Sequence, residues 1–314
     1  ARTPGAPEGT RGISLFIVPK FHLDADGKAG APNDVTCVSI EHKIGIHASP
    51  TCVMAYGEQG ECIGEMIGGE FGGMKAMFTM MNNARINVGS QGVQIAERAT
   101  QQASRFAMER IQSARAGSGD KTPVAIIEHP DVRRMLLRSK ALTQAARALL
   151  YYASSSVDRA TLGIEGAKAR AEILTPLIKG YGTDIGNEVA SIGVQVHGGM
   201  GFIEETGAGQ HFRDARIAPI YEGTNGIQAA DLVGRKLGLD GGEAMQQFIA
   251  EIRAEAEDGS SLMALAQACE EIRQWMASGD ASIDDRLAGS YPFMTMLATA
   301  TCGMLMQKQH RIAS

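Results

Sequence analysis

The sequence predicts an α+β fold that is mainly α-helical, with a partial β-sheet or β-barrel domain followed by a helical bundle and an additional helical module. Two observations lead to this prediction. Short β-rich runs between Gly, Pro and Asp clusters fill the first 70 residues, and apolar residues then recur about every 3.6 residues. We therefore expect the sheet domain over residues 1–70, the bundle over 71–238 and the module, incomplete at its end, over 239–314.

Four strands are predicted in the sheet domain, at residues 13–18, 35–40, 52–56 and 62–67. Four short strands cannot close a barrel, and an open sheet leaves edges that invite pairing with other chains. The chain also begins with Ala rather than Met. We therefore expect the rest of this domain to lie upstream in a longer polypeptide.

The bundle is predicted to contain three long helices and a short one, at about 74–117, 131–162, 174–196 and 225–238. Pro130 suits the first turn of the second helix, and Pro176 predicts a kink in the third. Thr224 and Asn225 are suited to cap the fourth.

Helical periodicity continues in the module, at about 243–257, 261–277 and 284–308. The most apolar stretch, residues 293–306, is shorter than the roughly 20 residues that a membrane-spanning helix needs. We expect a buried helix there and no membrane span.

The charge balance excludes a general affinity for nucleic acids, because 30 Lys and Arg are opposed by 35 Asp and Glu, for a net charge of −5. The five cysteines form no CxxC pair and the seven histidines no pair at helical spacing. Neither a disulfide framework nor a metal site is therefore predicted. This cysteine usage favours a reducing compartment, and we expect the protein to be cytoplasmic.

Two glycine-rich segments are candidate sites. Gly198, Gly199 and Gly201 follow the third helix, where glycine either ends the helix or lets backbone N–H groups approach an anion. This segment is not a Rossmann fingerprint, because no βαβ unit surrounds it. Glu222 precedes Gly223 at the start of the fourth helix, either as a solvated carboxylate or as a general base shielded by the apolar run 217–221. The residues alone leave these alternatives open.

The stretch from Gln195 to Glu222 strongly resembles the C-terminal helical domain of acyl-CoA dehydrogenases. The matching motifs are Gly198-Gly199, Gly201-Phe202, Arg213-Asp214-Ala215 and Tyr221-Glu222-Gly223-Thr224, with further matches at residues 41–51, 82–86, 109–112 and 127–129. Residues 11 to about 238 are covered. The tail resembles the extra helical domain of longer members, a branch that includes 3-methylmercaptopropionyl-CoA dehydrogenases.

This resemblance implies an FAD-dependent oxidation of acyl-CoA to trans-2-enoyl-CoA. Glu222 matches the family's base, which removes the α-proton while a hydride leaves the β-carbon for FAD. The backbone N–H of the same residue helps to polarise the thioester carbonyl. Electrons then pass to an electron-transfer flavoprotein.

The resemblance also supplies the remaining predicted site residues. The substrate-binding positions are Asn82, where many members have Asp, Arg85 and Gly223. The cofactor-binding positions are Arg110, Gln112, His129, Gln195, Val196, His197, Gly198, Gly199, Thr224 and Asn225. Because cofactor contacts cross subunits in this family, a homodimer or homotetramer is implied.

Two alternatives to a dehydrogenase stay open on the same scaffold. An acyl-CoA oxidase passes electrons to O₂, and a non-dehydrogenase flavoprotein of the same fold binds DNA. The acidic charge balance argues against the second. The acyl group is also open, since both 3-methylthiopropanoyl and a medium or long straight chain fit the resemblance.

Overall fold

A computed structural model describes all residues from 1 to 314, which divide into two compact units, Ala1–Asn83 and Ala84–Ser314. Helices dominate, and the strands pair in small two-stranded sheets. The predicted class, α+β and mainly α, is therefore confirmed.

The first unit contains six strands rather than the four predicted. They are β1 (Leu15–Ile17), β2 (Phe21–Leu23), β3 (Ala29–Pro32), β4 (Val35–Ile40), β5 (Cys52–Tyr56) and β6 (Glu65–Ile67). The antiparallel pairs are β1 with β6, β2 with β3 and β4 with β5. The prediction of four strands at most is wrong because β2 and β3 are short, and β3 contains Gly30 and Pro32, which weaken a strand pattern.

Nine α-helices follow. They are α1 (Gly73–Glu109), α2 (Pro130–Thr161), α3 (Ala167–His197), α4 (Ala208–Ala215), α5 (Asn225–Gly234), α6 (Glu243–Glu255), α7 (Ser261–Ala277), α8 (Ile283–Ala288) and α9 (Ser290–Ala313). A hairpin of β7 (Ile111–Ala114) and β8 (Pro123–Ala125) lies between α1 and α2.

Several predicted boundaries need correction. Helix α1 ends at Glu109, well before Gly117, because the residues after Glu109 pair as the β7–β8 hairpin. The short helix α4 was not predicted, α5 ends at Gly234 rather than Gly238, and the last predicted helix is divided into α8 and α9. Pro130 occupies the first turn of α2, as predicted, and Pro176 lies inside α3, where the kink stays a prediction.

One hydrophobic core extends through the second unit. Leu149 of α2 and Ile178 of α3 belong to the same buried cluster as Phe248 of α6 and Phe293 of α9. The C-terminal helices therefore share their core with the bundle, which brings α9 against α3 and α5. None of the helices is both long and apolar enough to cross a membrane.

Helices α1 and α3 cross at backbone contact distance because glycines face each other. A Cβ atom at Gly92 would lie 2.3 Å from the carbonyl oxygen of Gly182, and one at Gly89 would lie 2.8 Å from that of Ile178. This close crossing fixes the middle of α1 against the middle of α3.

Candidate functional site

The candidate catalytic residue lies in a backbone turn between α4 and α5. Glu222 has φ +54° and Gly223 has φ +82°, so two successive residues adopt the left-handed conformation. That conformation costs a non-glycine residue about 1–2 kcal/mol. A half-buried glutamate held there is typical of a functional site, where surrounding contacts enforce local strain.

Contacts from two helices hold this turn. The Gln228 amide of α5 donates to the carbonyl oxygens of Glu222 and Gly223, both at 3.4 Å, and the Tyr221 hydroxyl donates to Gln91 Oε1 of α1. Thr224 Oγ1 accepts from the N–H of Ile227 at 3.2 Å and caps α5, as the sequence predicted.

Arg85 of α1 lies beside the turn and lacks a charge partner. The residue is only 9% exposed, forms no ion pair, and its Nε is buried without a hydrogen-bond partner. Its Nη2 is 3.9 Å from the position of a Cβ on Gly223, and Gln228 Oε1 is likewise buried without a partner. A buried guanidinium without a carboxylate is costly, so these two groups fit a polar ligand at this turn.

A polar network lies behind the turn. Asn225, the first residue of α5, is 3% exposed, and its Oδ1 accepts from Lys179 Nζ at 2.9 Å. Its Nδ2 donates to Asp184 Oδ1 at 2.9 Å, and the Tyr291 hydroxyl of α9 donates to Asp184 Oδ2 at 2.6 Å. The side chain of Asn225 is thus engaged inside the protein, and its predicted contact with the cofactor stays a prediction.

Burial perturbs the charged members of this network. It lowers the pKa of Lys179, which is 0% exposed, to about 8, although Asp184 opposes the shift. Burial raises the pKa of the Asp184 carboxyl, against hydrogen bonds from Tyr291 and Asn225 that lower it. Burial and the adjacent carboxylate raise the pKa of Tyr291 to about 12. The Tyr291 hydroxyl therefore remains a proton donor at neutral pH.

The glycine-rich segment at the end of α3 has an open part and a closed part. A Cβ atom at Gly198 or Gly199 would meet no atom within 4 Å, whereas one at Gly201 would lie 2.2 Å from the carbonyl oxygen of Val194. Gly198 has φ +59°. The first two glycines therefore present accessible backbone, and the third permits close packing.

The neighbouring predicted cofactor residues differ in exposure. Gln195 is exposed, whereas Val196 and His197 are buried. The His197 ring stacks on Phe106 with centroids 4.4 Å apart, and its Nδ1 lies 2.7 Å from the carbonyl oxygen of Gly193. Because these two side chains are buried, any contact of residues 196 and 197 with a ligand would be made by their backbone.

The structure brings Arg110, Gln112 and His129 together at the β7–β8 hairpin. His129 Nε2 lies 2.8 Å from the carbonyl oxygen of Gln112, and Arg110 is exposed without an ion pair. A small apolar cluster that includes Ile126 and Val196 joins this region to the end of α3. Asn82 is exposed on α1.

The expected shielding of Glu222 is only partly present. Ala218 is buried, but Ile217 and Ile220 are exposed in this chain. These two side chains point away from the core because the segment 217–220 forms tight turns, with Ile220 N bonded to Ile217 O.

Sequence reasoning missed the residues that hold the turn, namely Gln91, Lys179, Asp184, Gln228 and Tyr291. One signal was available: Lys179 and Asp184 interrupt a helix whose residues are buried on almost every side. Charged residues are rarely buried unless they are paired.

The fold and the candidate site together define a helical domain in which the left-handed turn of Glu222 and Gly223 lies beside a buried guanidinium that forms no ion pair. Residues 72–237, more than half of the chain, match the family described as acyl-CoA dehydrogenase, C-terminal domain. The chain belongs to the acyl-CoA dehydrogenase family, as the motifs predicted.

Similar proteins agree with this assignment. The chain is 47% identical over 322 residues to 3-methylmercaptopropionyl-CoA dehydrogenase of Ruegeria pomeroyi, covering 96% of the chain and 54% of that protein. It is 43% identical over 265 residues to a butyryl-CoA dehydrogenase of Syntrophomonas wolfei, covering 80% of the chain and 43% of the relative. The chain thus spans about half the length of the curated relatives it matches.

A solved structure supports the fold. An acyl-CoA dehydrogenase of Bacillus anthracis, complexed with FAD, superposes with a TM-score of 0.69 at 20% identity over 88% of this chain and 50% of that one. At this identity the likeness concerns the fold alone.

Proposed function

We propose that this chain contributes the base and part of the ligand sites of an FAD-dependent acyl-CoA dehydrogenase that converts an acyl-CoA to trans-2-enoyl-CoA. The observation that carries the proposal is the turn of Glu222 and Gly223, both in the left-handed conformation, with Nη2 of the buried Arg85 3.9 Å from the position of a Cβ on Gly223. A carboxylate held in a costly backbone conformation next to a site for a polar ligand suits a positioned base.

Glu222 removes the α-proton of the acyl group. The α-proton of a thioester is weakly acidic, so catalysis requires stabilisation of the negative charge that develops on the carbonyl oxygen. The backbone N–H of Glu222 has no acceptor within the chain and is therefore free to donate to that oxygen. Arg85 adds a buried positive charge close to the same turn.

FAD, when bound, supplies the acceptor for the hydride that leaves the β-carbon. Arg110, Gln112 and His129, the segment 195–199 and the turn at Thr224 and Asn225 would hold it. Two observations support this fit: the backbone at Gly198 and Gly199 is open, and the exposed Arg110 has no ion pair. The N–H of Gly198 donates to the carbonyl oxygen of Gln195, but the space beside both glycines lets a ligand approach their backbone closely. A guanidinium without an ion pair suits phosphate oxygens.

Asn82, Arg85 and Gly223 contact the substrate in this proposal. Any other residue at position 223 would be strained, because the backbone has φ +82° and a Cβ atom there would lie 2.8 Å from Gln228 Nε2, which would have to move. The substrate class is acyl-CoA, and the names of the two relatives make 3-methylmercaptopropionyl-CoA and butyryl-CoA the first compounds to assay.

The proposal has two further parts. The electron acceptor is an electron-transfer flavoprotein, and the protein assembles as a homodimer or homotetramer. Exposed apolar side chains next to the open glycines support an oligomer, since Phe202 is 91% exposed and Met200 and Ile203 are also exposed. Sedimentation of the full-length protein tests the oligomer. Reduction of electron-transfer flavoprotein, compared with peroxide formation, separates a dehydrogenase from an oxidase.

The Glu222→Gln variant of the full-length protein tests the base. It keeps the shape of the side chain, so we expect normal FAD content but at least about a 100-fold loss of acyl-CoA-dependent dye reduction. Glu205→Gln is the matched control, because Glu205 is exposed and forms no ion pair. Retained turnover in Glu222→Gln would remove Glu222 from its proposed role.

A further inference from the structure

We propose that helix α9 contributes a positioning residue to the reaction: Tyr291 holds the Glu222 turn in place through Asp184 and Asn225. This inference rests on the proposed function of Glu222. It assigns a role in the site to the C-terminal helices, in which the sequence shows no chemical motif.

The contacts run without interruption from α9 to the turn. The Tyr291 hydroxyl donates to Asp184 Oδ2 at 2.6 Å, a short distance typical of a hydrogen bond to a charged acceptor. Asp184 Oδ1 accepts from Asn225 Nδ2 at 2.9 Å. Both oxygens of one carboxylate on α3 are therefore engaged, one by α9 and the other by α5.

Asn225 connects this network to the catalytic turn. Its backbone N–H donates to the carbonyl oxygen of Pro219 at 2.9 Å, which closes the segment that contains Glu222. Its side chain donates to Asp184 and accepts from Lys179 Nζ. An amide suits this position because it can satisfy a carboxylate and an ammonium at the same time, whereas a carboxylate or an aliphatic side chain cannot.

Strain makes the turn sensitive to this support. Glu222 has φ +54°, a conformation that relaxes unless neighbouring contacts enforce it. The other contacts are the two 3.4 Å hydrogen bonds from Gln228 and the bond between Tyr221 and Gln91. Asn225 Nδ2 also donates to the carbonyl oxygen of Gly180 at 3.1 Å and to Thr183 Oγ1 at 3.0 Å, and its bond to Asp184 at 2.9 Å is the shortest of the three. Weakening this bond loosens Asn225 and shifts the turn that carries the Glu222 carboxylate. A displacement of about 1 Å can reduce a reaction rate about 100-fold.

Tyr291→Phe in the full-length holoenzyme removes only the hydroxyl and leaves the ring. One hydrogen bond to a charged group is lost, so we expect kcat to fall about 5- to 10-fold, with FAD content and KM for butyryl-CoA changed less than twofold. Tyr151→Phe is the matched control, because Tyr151 is 65% exposed on α2 and forms no hydrogen bond. Equal kcat values for the two variants would refute the proposal, even if Tyr291→Phe lowered the melting temperature.

Coupling to Asp184 gives a second readout that a general loss of stability would not produce. In an Asp184→Asn background, the further change Tyr291→Phe should alter kcat less than twofold, because its effect passes through the Asp184 carboxylate. Fully multiplicative effects of the two changes would contradict this path.

Hydrogen exchange distinguishes failure of this inference from failure of the proposed function. We expect amide exchange in residues 217–224 to be at least about threefold faster in Tyr291→Phe than in Tyr151→Phe, because the turn loses support. If the wild type oxidises no acyl-CoA, the proposed function fails, and the exchange result still decides whether Tyr291 holds the turn. Unchanged exchange overturns the positioning role whatever the activity.

Discussion

Replacing Gly92 by Ala tests the claim that α1 and α3 meet at backbone distance. Gly92 is buried in α1, and an added Cβ would lie 2.3 Å from the carbonyl oxygen of Gly182 and 2.7 Å from its carbonyl carbon. Both atoms belong to the backbone of α3, so no side-chain rotation can relieve the contact. The helices must therefore separate by about 1 Å before ordinary van der Waals contact is restored.

Two opposing effects set the magnitude. Ala is favoured over Gly in a helix interior by about 1 kcal/mol, whereas overpacking of a core costs about 1–3 kcal/mol and more where backbone must move. We therefore expect Gly92→Ala to lower the free energy of unfolding by about 1–2 kcal/mol. Gly193→Ala is the matched control in α3, because its Cβ would lie 3.5 Å from that of Ala99, an ordinary contact.

The control should keep the helix-propensity gain and be stabilised by up to about 1 kcal/mol. The two variants should then differ in stability by about 1–3 kcal/mol and in melting temperature by about 2–12 °C, given 2–4 °C per kcal/mol for a unit of this size. Thermal unfolding followed by circular dichroism measures the difference. A Gly92→Ala variant as stable as Gly193→Ala would show that the helices are not in backbone contact.

Three further predictions concern the turn and the network behind it. Thr224→Ala should destabilise the protein by about 1 kcal/mol in urea denaturation through loss of the cap on α5, while Thr224→Ser should not. Glu222→Gly should abolish turnover yet raise the free energy of unfolding by about 1 kcal/mol, because it removes a non-glycine residue from φ +54°; a lower stability would contradict the strain. Burial lowers the pKa of Lys179 from its ordinary value of 10.5 to about 8. Between these two pH values the unfolded chain binds more protons than the folded protein, so folding stability rises with pH. Urea denaturation at pH 7.5 and 10 should show this rise, up to roughly 3 kcal/mol, in the wild type relative to Lys179→Met, and its absence would refute the buried ammonium.

Signals carried by a few neighbouring residues predicted where two of the helices begin. Pro130 begins α2 because its fixed φ suits a first turn, and Thr224 caps α5 with its hydroxyl. The same signals failed at the end of α1, which was predicted near Gly117, because they did not indicate the β7–β8 hairpin. Pairing between β7 and β8 depends on two segments meeting, which periodicity in either one does not reveal.

The predicted site residues differ in how the structure uses them. Glu222 and Arg85, far apart in the sequence, both lie at the same turn, where Arg85 Nη2 is 3.9 Å from the position of a Cβ on Gly223. Asn225, predicted at the cofactor, uses its side chain to join α5 to α3. Their roles toward FAD and acyl-CoA stay predictions that the Glu222→Gln experiment begins to test.

The sequence by itself determined the fold class, the family and the identity of the candidate base, because periodicity, caps and motifs are properties of neighbouring residues. Only the tertiary structure decided that Glu222 adopts a left-handed conformation and that Arg85 is buried without a charge partner. Only the tertiary structure shows the hydrogen bonds between Lys179 and Asn225, 46 positions apart, and between Asp184 and Tyr291, 107 positions apart. Such pairs arise from the crossing of helices around a shared core, and the chain carries no local pattern that encodes them.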